Sequence, residues 1–302
     1  MSRSSHRPKV RVVPFTVLVL SALFFALPLL AMGRFALQNV PVIRLGWSTL
    51  FENWSIDGLR RAFDEPTFWS ALRLSLLLAL FTVVLTLALL VPTAIWVHLR
   101  LPRLRAFVEF LTILPYVIPA IALVAGVLVL KPHARWFLNS EFALVPFYVV
   151  LALPFTYRSI DVGLRSIDLR TLVDASRSLG AGWGTTLVRT VIPNLRTAII
   201  SASFLTTAVV LGEFTMANVL LVEALPRFMA TYRGREPQGS YGLALLALMA
   251  TAGLFFALGV LTRPRSGRTD RSAAVAATDA VDDDATPGHT ADVTRSSAGG
   301  AS

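Results

Sequence analysis

Apolar positions in this chain neither alternate nor confine themselves to one face of a repeating helix; they come in unbroken runs separated by short arginine-bearing gaps. A helix that crosses a membrane needs roughly 20 such residues, and uncharged stretches of that order cover Val12 to Gly33, Leu74 to Val97, Phe110 to Leu130 and Pro237 to Thr262. Phe142 to Tyr157 is shorter and holds Pro146 and Pro154, which membrane helices accept when neighbours satisfy the freed backbone groups. Thr197 to Val222 is long enough but contains Glu213. The pattern predicts an all-α membrane protein with six transmembrane helices, over about 12–33, 70–98, 107–130, 141–159, 196–222 and 240–262. Residues 1–11 then precede a transmembrane domain of 12–262. Residues 263–302, rich in Ala, Asp, Thr, Ser and Gly and nearly free of large apolar side chains, read as a disordered tail.

Composition supports the membrane reading: 55% of the residues are hydrophobic and only 15% charged, with a mean hydropathy of +0.65, whereas a soluble domain carries about a quarter charged residues. The net charge of +10 does not point to nucleic acid, because the arginines form no single block or face. They report topology instead. With six spans and the N-terminus inside, the inner segments hold 17 Lys and Arg and the outer ones 9, the bias expected of cytoplasmic loops. Removing the fourth span reverses that bias, so both termini are expected in the cytoplasm. The start, with Arg3, Arg7, Lys9 and Arg11 ahead of an apolar core, has the parts of a signal peptide. The core is too long and Leu30 to Gly33 a poor cleavage site, which predicts an uncleaved first span. Trp47, Trp54 and Trp69, between the first two spans, read as interfacial anchors.

The loop between the fourth and fifth spans, Arg158 to Arg196, is too long for a simple turn. Leu169, Leu172, Val173, Ser176 and Leu179 recur at spacings of three and four, placing them on one helical face with Arg170, Asp174 and Arg177 elsewhere. Ser166 or Asp168 can cap the start of this helix, and Gly180 stands where a left-handed terminating residue is wanted. A second short helix is expected from Trp183 to Val191, with Pro193 in the first turn of the fifth span. Periodicity alone fits two readings equally: an amphipathic helix lying on the membrane surface, or a docking helix whose tip enters a partner.

The stretch DASRSLGAGWGTTLVRTVIP resembles the cytoplasmic signature of binding-protein-dependent ABC importer permeases of the type I fold. That signature runs Glu-Ala-Ala, three residues, Gly, nine residues, Ile-x-Leu-Pro. Here Asp174, Ala175, Ser176, Gly180 and Pro193 fall at the matching places, with Ile192 at the leucine position. Asp174 replaces Glu, Ser176 replaces Ala and Thr190 the first Ile. FDEPTFWSALRLSLLLAL, LTILPYVIPAIALVAGVLVL and LGEFTMANVLL are similar to the family's second, third and fifth core spans, and especially to the branch importing polyamines, ferric iron, thiamine and some oxyanions. The resemblance implies that the loop is a coupling helix. Asp174, Ala175, Ser176, Leu179, Gly180, Ala181 and Pro193 would then meet an ATP-binding cassette subunit. Further implied partners are a second permease subunit, identical or homologous, and an extracytoplasmic substrate-binding protein, all at a bacterial inner membrane.

The chain itself lacks equipment for chemistry. Its two lysines, Lys9 and Lys131, follow Pro8 and Leu130, so no Gly-Lys pair of a phosphate loop exists. ATP is therefore expected on a partner subunit, with no cofactor in this chain. His6, His98, His133 and His289 are scattered, which predicts no metal centre. A gradient-driven carrier or channel is the alternative the residues leave open. It would bury several ionisable groups at mid-membrane, where only Glu213 stands clearly. Glu213, with Asn218, either lines a translocation path or makes a structural hydrogen bond near a helix break after Gly212.

Overall fold

The computed structural model describes residues 12–38, 53–130 and 132–261. The N-terminal segment 1–11, Trp47 and the tail 263–302 lie outside these residues. Every long element is helical: α1 (Val12–Ala36), α2 (Asp57–Asp64), α3 (Pro66–Arg100), α4 (Arg105–Val117), α5 (Ala120–Leu130), the single turn α6 (Arg135–Leu138), α7 (Leu144–Arg165) and α8 (Leu169–Ser178). Beyond α8 come α9 (Trp183–Thr185), a π-helical segment (Thr186–Val191), α10 (Ile192–Asn194), α11 (Arg196–Gly212), α12 (Thr215–Val219), α13 (Leu225–Tyr232) and α14 (Pro237–Leu261). Among the described residues, helices within α1, α3, α7 and α14 are long and apolar enough to cross a membrane unaided. Two bent pairs raise the number to six if each is one span. This is the all-α membrane architecture expected from the apolar runs.

Two expected spans are not single helices. The third, expected over 107–130, breaks between α4 and α5 with an 83° bend. Pro119 is the cause: the residue before a proline is pushed out of the helical region, and Ile118 is extended, with ψ of 123°. The fifth, expected over 196–222, stops at Gly212, where Glu213 turns extended before α12 begins. At its other end α11 meets the segment Trp183–Asn194 at 75°. Pro193 accordingly sits in α10, before that bend, and not in the first turn of the fifth span. The second helix of the loop also runs past Val191 to Asn194, widened to a π turn over Thr186–Val191. Pro193 has no N–H to return to the preceding turn, which favours that widening.

The centre of the bundle is the triple contact of α3, α7 and α11. Small residues let α7 and α11 approach closely: a Cβ on Gly163 would stand 2.3 Å from the Ala198 Cβ. Polar groups cross the same seam, with Ser159 Oγ donating to the Ala198 carbonyl at 3.1 Å and the Thr156 and Thr206 hydroxyls bonded at 2.7 Å. One core cluster joins Leu74, Leu78, Leu144, Tyr148, Val210 and Met216. A second joins Leu90, Ala94, Tyr157, Ile160 and Leu195 to Leu169 and Val173 of the loop. The loop helix is thus seated in the same apolar core that holds the spans. α1 differs, since none of its apolar window is buried by the rest of the chain.

Candidate functional site

Asp168 is the residue that caps α8. Its Oδ1 accepts from the Thr171 N–H at 3.3 Å and its Oδ2 from the Thr171 hydroxyl at 2.7 Å. These bonds favour the charged form and hold the Asp168 carboxyl below its ordinary range. The sign follows from linkage: a lowered folded-state value stabilises the cap above the ordinary carboxyl range, and that stabilisation is lost as pH falls through the folded value. Amide-exchange protection of Thr171 and Leu172, corrected for the intrinsic rate, is expected to drop in acid in the wild type. In Asp168→Asn, which keeps an acceptor but no charge, protection should stay flat over the same window.

The far end of α8 closes on Gly180, which has φ of +84°. The Gly180 N–H donates to the Arg177 carbonyl at 2.9 Å and the Ala181 N–H to the Ser176 carbonyl at 3.2 Å. This paired closure is the one that a left-handed glycine permits. Leu169 and Val173 are buried, and Leu172 and Ser176 are half-buried, as the periodicity requires. Leu179 departs from that face and is 88% exposed. It is the residue at which the helix ends, so the turn into Gly180 carries it off the apolar stripe.

Asp174, Ala175, Leu179 and Gly180 are all exposed, around the last turn of α8 and its closure. Ser176 looks the other way, its hydroxyl 3.0 Å from that of Thr186 and 3.4 Å from that of Thr190. Arg177 lies over the Trp183 ring, 4.7 Å from its centroid. These contacts fasten α8 to the π segment. Ala181 is half-buried, and Pro193 is exposed in α10, beyond that segment along the chain.

A buried acid escapes sequence reasoning. Asp161 is 3% exposed because α7 continues six residues past the expected end of the fourth span, to Arg165. Arg105 of α4 meets its carboxylate with Nε at 2.8 Å and Nη2 at 3.3 Å. Arg165 Nη2 lies at 2.6 Å and His98 Nε2 of α3 at 3.2 Å. The Asp161 and Arg165 spacing of four was visible in the sequence; the convergence of His98 and Arg105 depends on how three helices pack.

Glu213 occupies the break after α11. Its Oε1 accepts from the Thr215 N–H and its Oε2 from the Met216 N–H, each at 2.9 Å. Both oxygens therefore cap α12, supplying acceptors for donors that a helix start leaves without partners. Asn218 is exposed on the same short helix. These two bonds are of the kind a helix break requires.

Among solved structures, the chain is similar to a bacterial ABC transporter involved in the import of the acidic polysaccharide alginate. The match has a TM-score of 0.65 at 16% identity and covers 83% of this chain and 96% of that one. A comparison with curated proteins returns no match. The family model described as binding-protein-dependent transport system inner membrane component matches residues 90–263, from within α3 to just beyond α14. With four to six helices able to cross a membrane and a loop seated in their core, the chain belongs to that family, the multi-pass membrane permease subunits of ABC importers.

Proposed function

We propose that this permease subunit is driven by a separate ATPase that grips the tip of α8, with Asp174, Ala175, Ser176, Leu179, Gly180, Ala181 and Pro193 forming or shaping the contact. ATP is bound by the partner. The observation that carries the reading is Leu179: a large apolar side chain, 88% exposed, at the end of a helix whose other face is anchored in the core of the spans. Such a side chain fits a partner's groove, and its burial there is worth about 1.5–3 kcal/mol. The loop and both termini lie in the cytoplasm, which the excess of arginine on that side supports. A binding protein delivers solute from the opposite side, and a second permease subunit completes the pathway.

For substrate, the likeness of LGEFTMANVLL and the neighbouring spans to the polyamine, ferric iron and thiamine branch is the sole support. The bonds that the two Glu213 oxygens accept from α12 account for its place at the break. A gradient-driven carrier is not the reading that family membership favours.

The test is gentle purification of the tagged protein from its native membrane. An ATP-binding subunit is expected to accompany the wild type, and Leu179→Asp is expected to weaken that association about tenfold or more. If no ATPase accompanies well-folded wild type, the reading fails.

A further inference from the structure

Two cavities open side by side where the end of α3 meets the loop; the first lies apart from the exposed tip, and the second shares only Asp174 with the tip residues. One, of about 250 Å³, is an apolar groove between Pro92, Trp96 and Leu99 of α3 and Trp183, Leu187 and Val191 of the loop. The other, of about 340 Å³, is lined by Arg100, Arg170 and Arg177, with Asp174 as its one acid. Leu99, Val173 and Trp183 line both, so the groove runs into the charged cavity. Trp183 stands at the junction with two guanidinium groups near its ring, Arg177 at 4.7 Å and Arg100 at 5.9 Å. Arg100 also lies 5.8 Å from the Trp96 ring.

Depth decides what meets these cavities. α3 has 35 residues, a length of about 52 Å at 1.5 Å per residue, against a hydrocarbon core of about 30 Å. Its uncharged run closes at Val97, so the last turn, from Trp96 to Arg100, reaches the headgroup zone, where tryptophan and arginine side chains settle. An apolar slot leading to a cavity with three cations and one anion, at that depth, matches an acyl chain joined to a negatively charged head. Basic pockets between membrane helices bind anionic headgroups on this principle.

We propose that the groove and cavity between α3 and α9 bind one anionic phospholipid, its phosphate held by Arg100, Arg170 and Arg177 and an acyl chain lying between Trp96 and Trp183. The site goes beyond the ATPase reading and does not depend on it. Leu179 and Gly180, at the tip, line neither cavity. An acidic segment of a protein partner would satisfy the arginines but would leave the apolar slot without an occupant.

The experiment is native mass spectrometry of the full chain, purified in mild detergent with whatever subunits accompany it and titrated with phosphatidylglycerol or phosphatidylcholine. Wild type is expected to hold one phosphatidylglycerol about tenfold more tightly than phosphatidylcholine, the difference that one charge-assisted contact provides. Arg100→Gln should erase that preference and Arg100→Lys should keep most of it. Gly184→Leu is the second arm. Gly184 lines the groove, and a Cβ there meets nothing within 4 Å, so the substitution fills the slot without straining the fold. It should weaken phosphatidylglycerol binding while every arginine remains.

Equal binding of the two lipids by wild type overturns the proposal, as does an undiminished preference in Arg100→Gln or an undiminished phosphatidylglycerol affinity in Gly184→Leu. Loss of an accompanying ATPase from Arg100→Gln with the lipid preference intact would assign the arginines to a protein contact instead. If Arg100→Gln does not fold, Gly184→Leu decides alone.

Discussion

Gly180→Arg is expected to lower ATP-dependent solute accumulation at least thirtyfold or so, measured in vesicles that hold the assembly, while the protein remains folded and inserted. A Cβ at Gly180 would meet nothing within 4 Å, so bulk alone does not disturb the chain. The backbone does resist, because φ of +84° suits glycine, and an ordinary residue there costs about 1–2 kcal/mol. α8 tolerates this, being anchored at its other end by the Asp168 cap and along its length by Leu169 and Val173. What changes is the surface offered to the ATPase, where a long cation now projects beside Leu179. Gly180→Asn is the control, since asparagine adopts the left-handed region readily and adds little bulk; it should keep most of the uptake. Full uptake by Gly180→Arg would remove the tip from the coupling contact.

Asp161→Asn is expected to destabilise the spans by about 3 kcal/mol, read as a lowered unfolding midpoint of the purified protein in detergent. The carboxylate is 3% exposed and stands against three bases from three helices. Taking away its charge leaves the Arg105 guanidinium with no anion opposite it, and that part-buried unpaired charge is the costly product. The cost should therefore shrink when the partner goes too. In Asp161→Asn with Arg105→Gln, the loss is expected to be smaller than the sum of the two single losses by about 0.5–3 kcal/mol. Strict additivity would show that the pair does not interact. The position matters for the loop as well, because Arg165 ends α7 and the next residues lead into α8.

Local signals carried most of what was legible in the sequence. The apolar runs are set by hydrocarbon thickness, and they fall on the four helices able to cross a membrane and on the two bent pairs. Asp168 and Gly180 bracket α8 because caps act within three or four residues of themselves. The failures are of three kinds. Composition counts apolar residues without asking whether the backbone stays helical, so it misses the break at Ile118 although Pro119 marks it, and the break after Gly212 stands only as one of two readings of Glu213. Nonlocal convergence leaves no mark along the chain, which is why the bases around Asp161 did not announce themselves. Leu179 shows a third limit: periodicity assigns a face only while the helix lasts, and this residue stands where it ends.

The π segment at Thr186–Val191 has a mechanical meaning. A π turn contains one residue more than the α repeat requires, so it is a dislocation in a rod. Inserting or removing that extra residue turns the rod beyond it by about 100°, whereas sliding the π turn along the chain re-registers only the residues it passes. Between the well-anchored α8 and the 75° elbow into α11, the chain thus has a swivel. The extra residue stands at the junction between the loop helix α8 and α11.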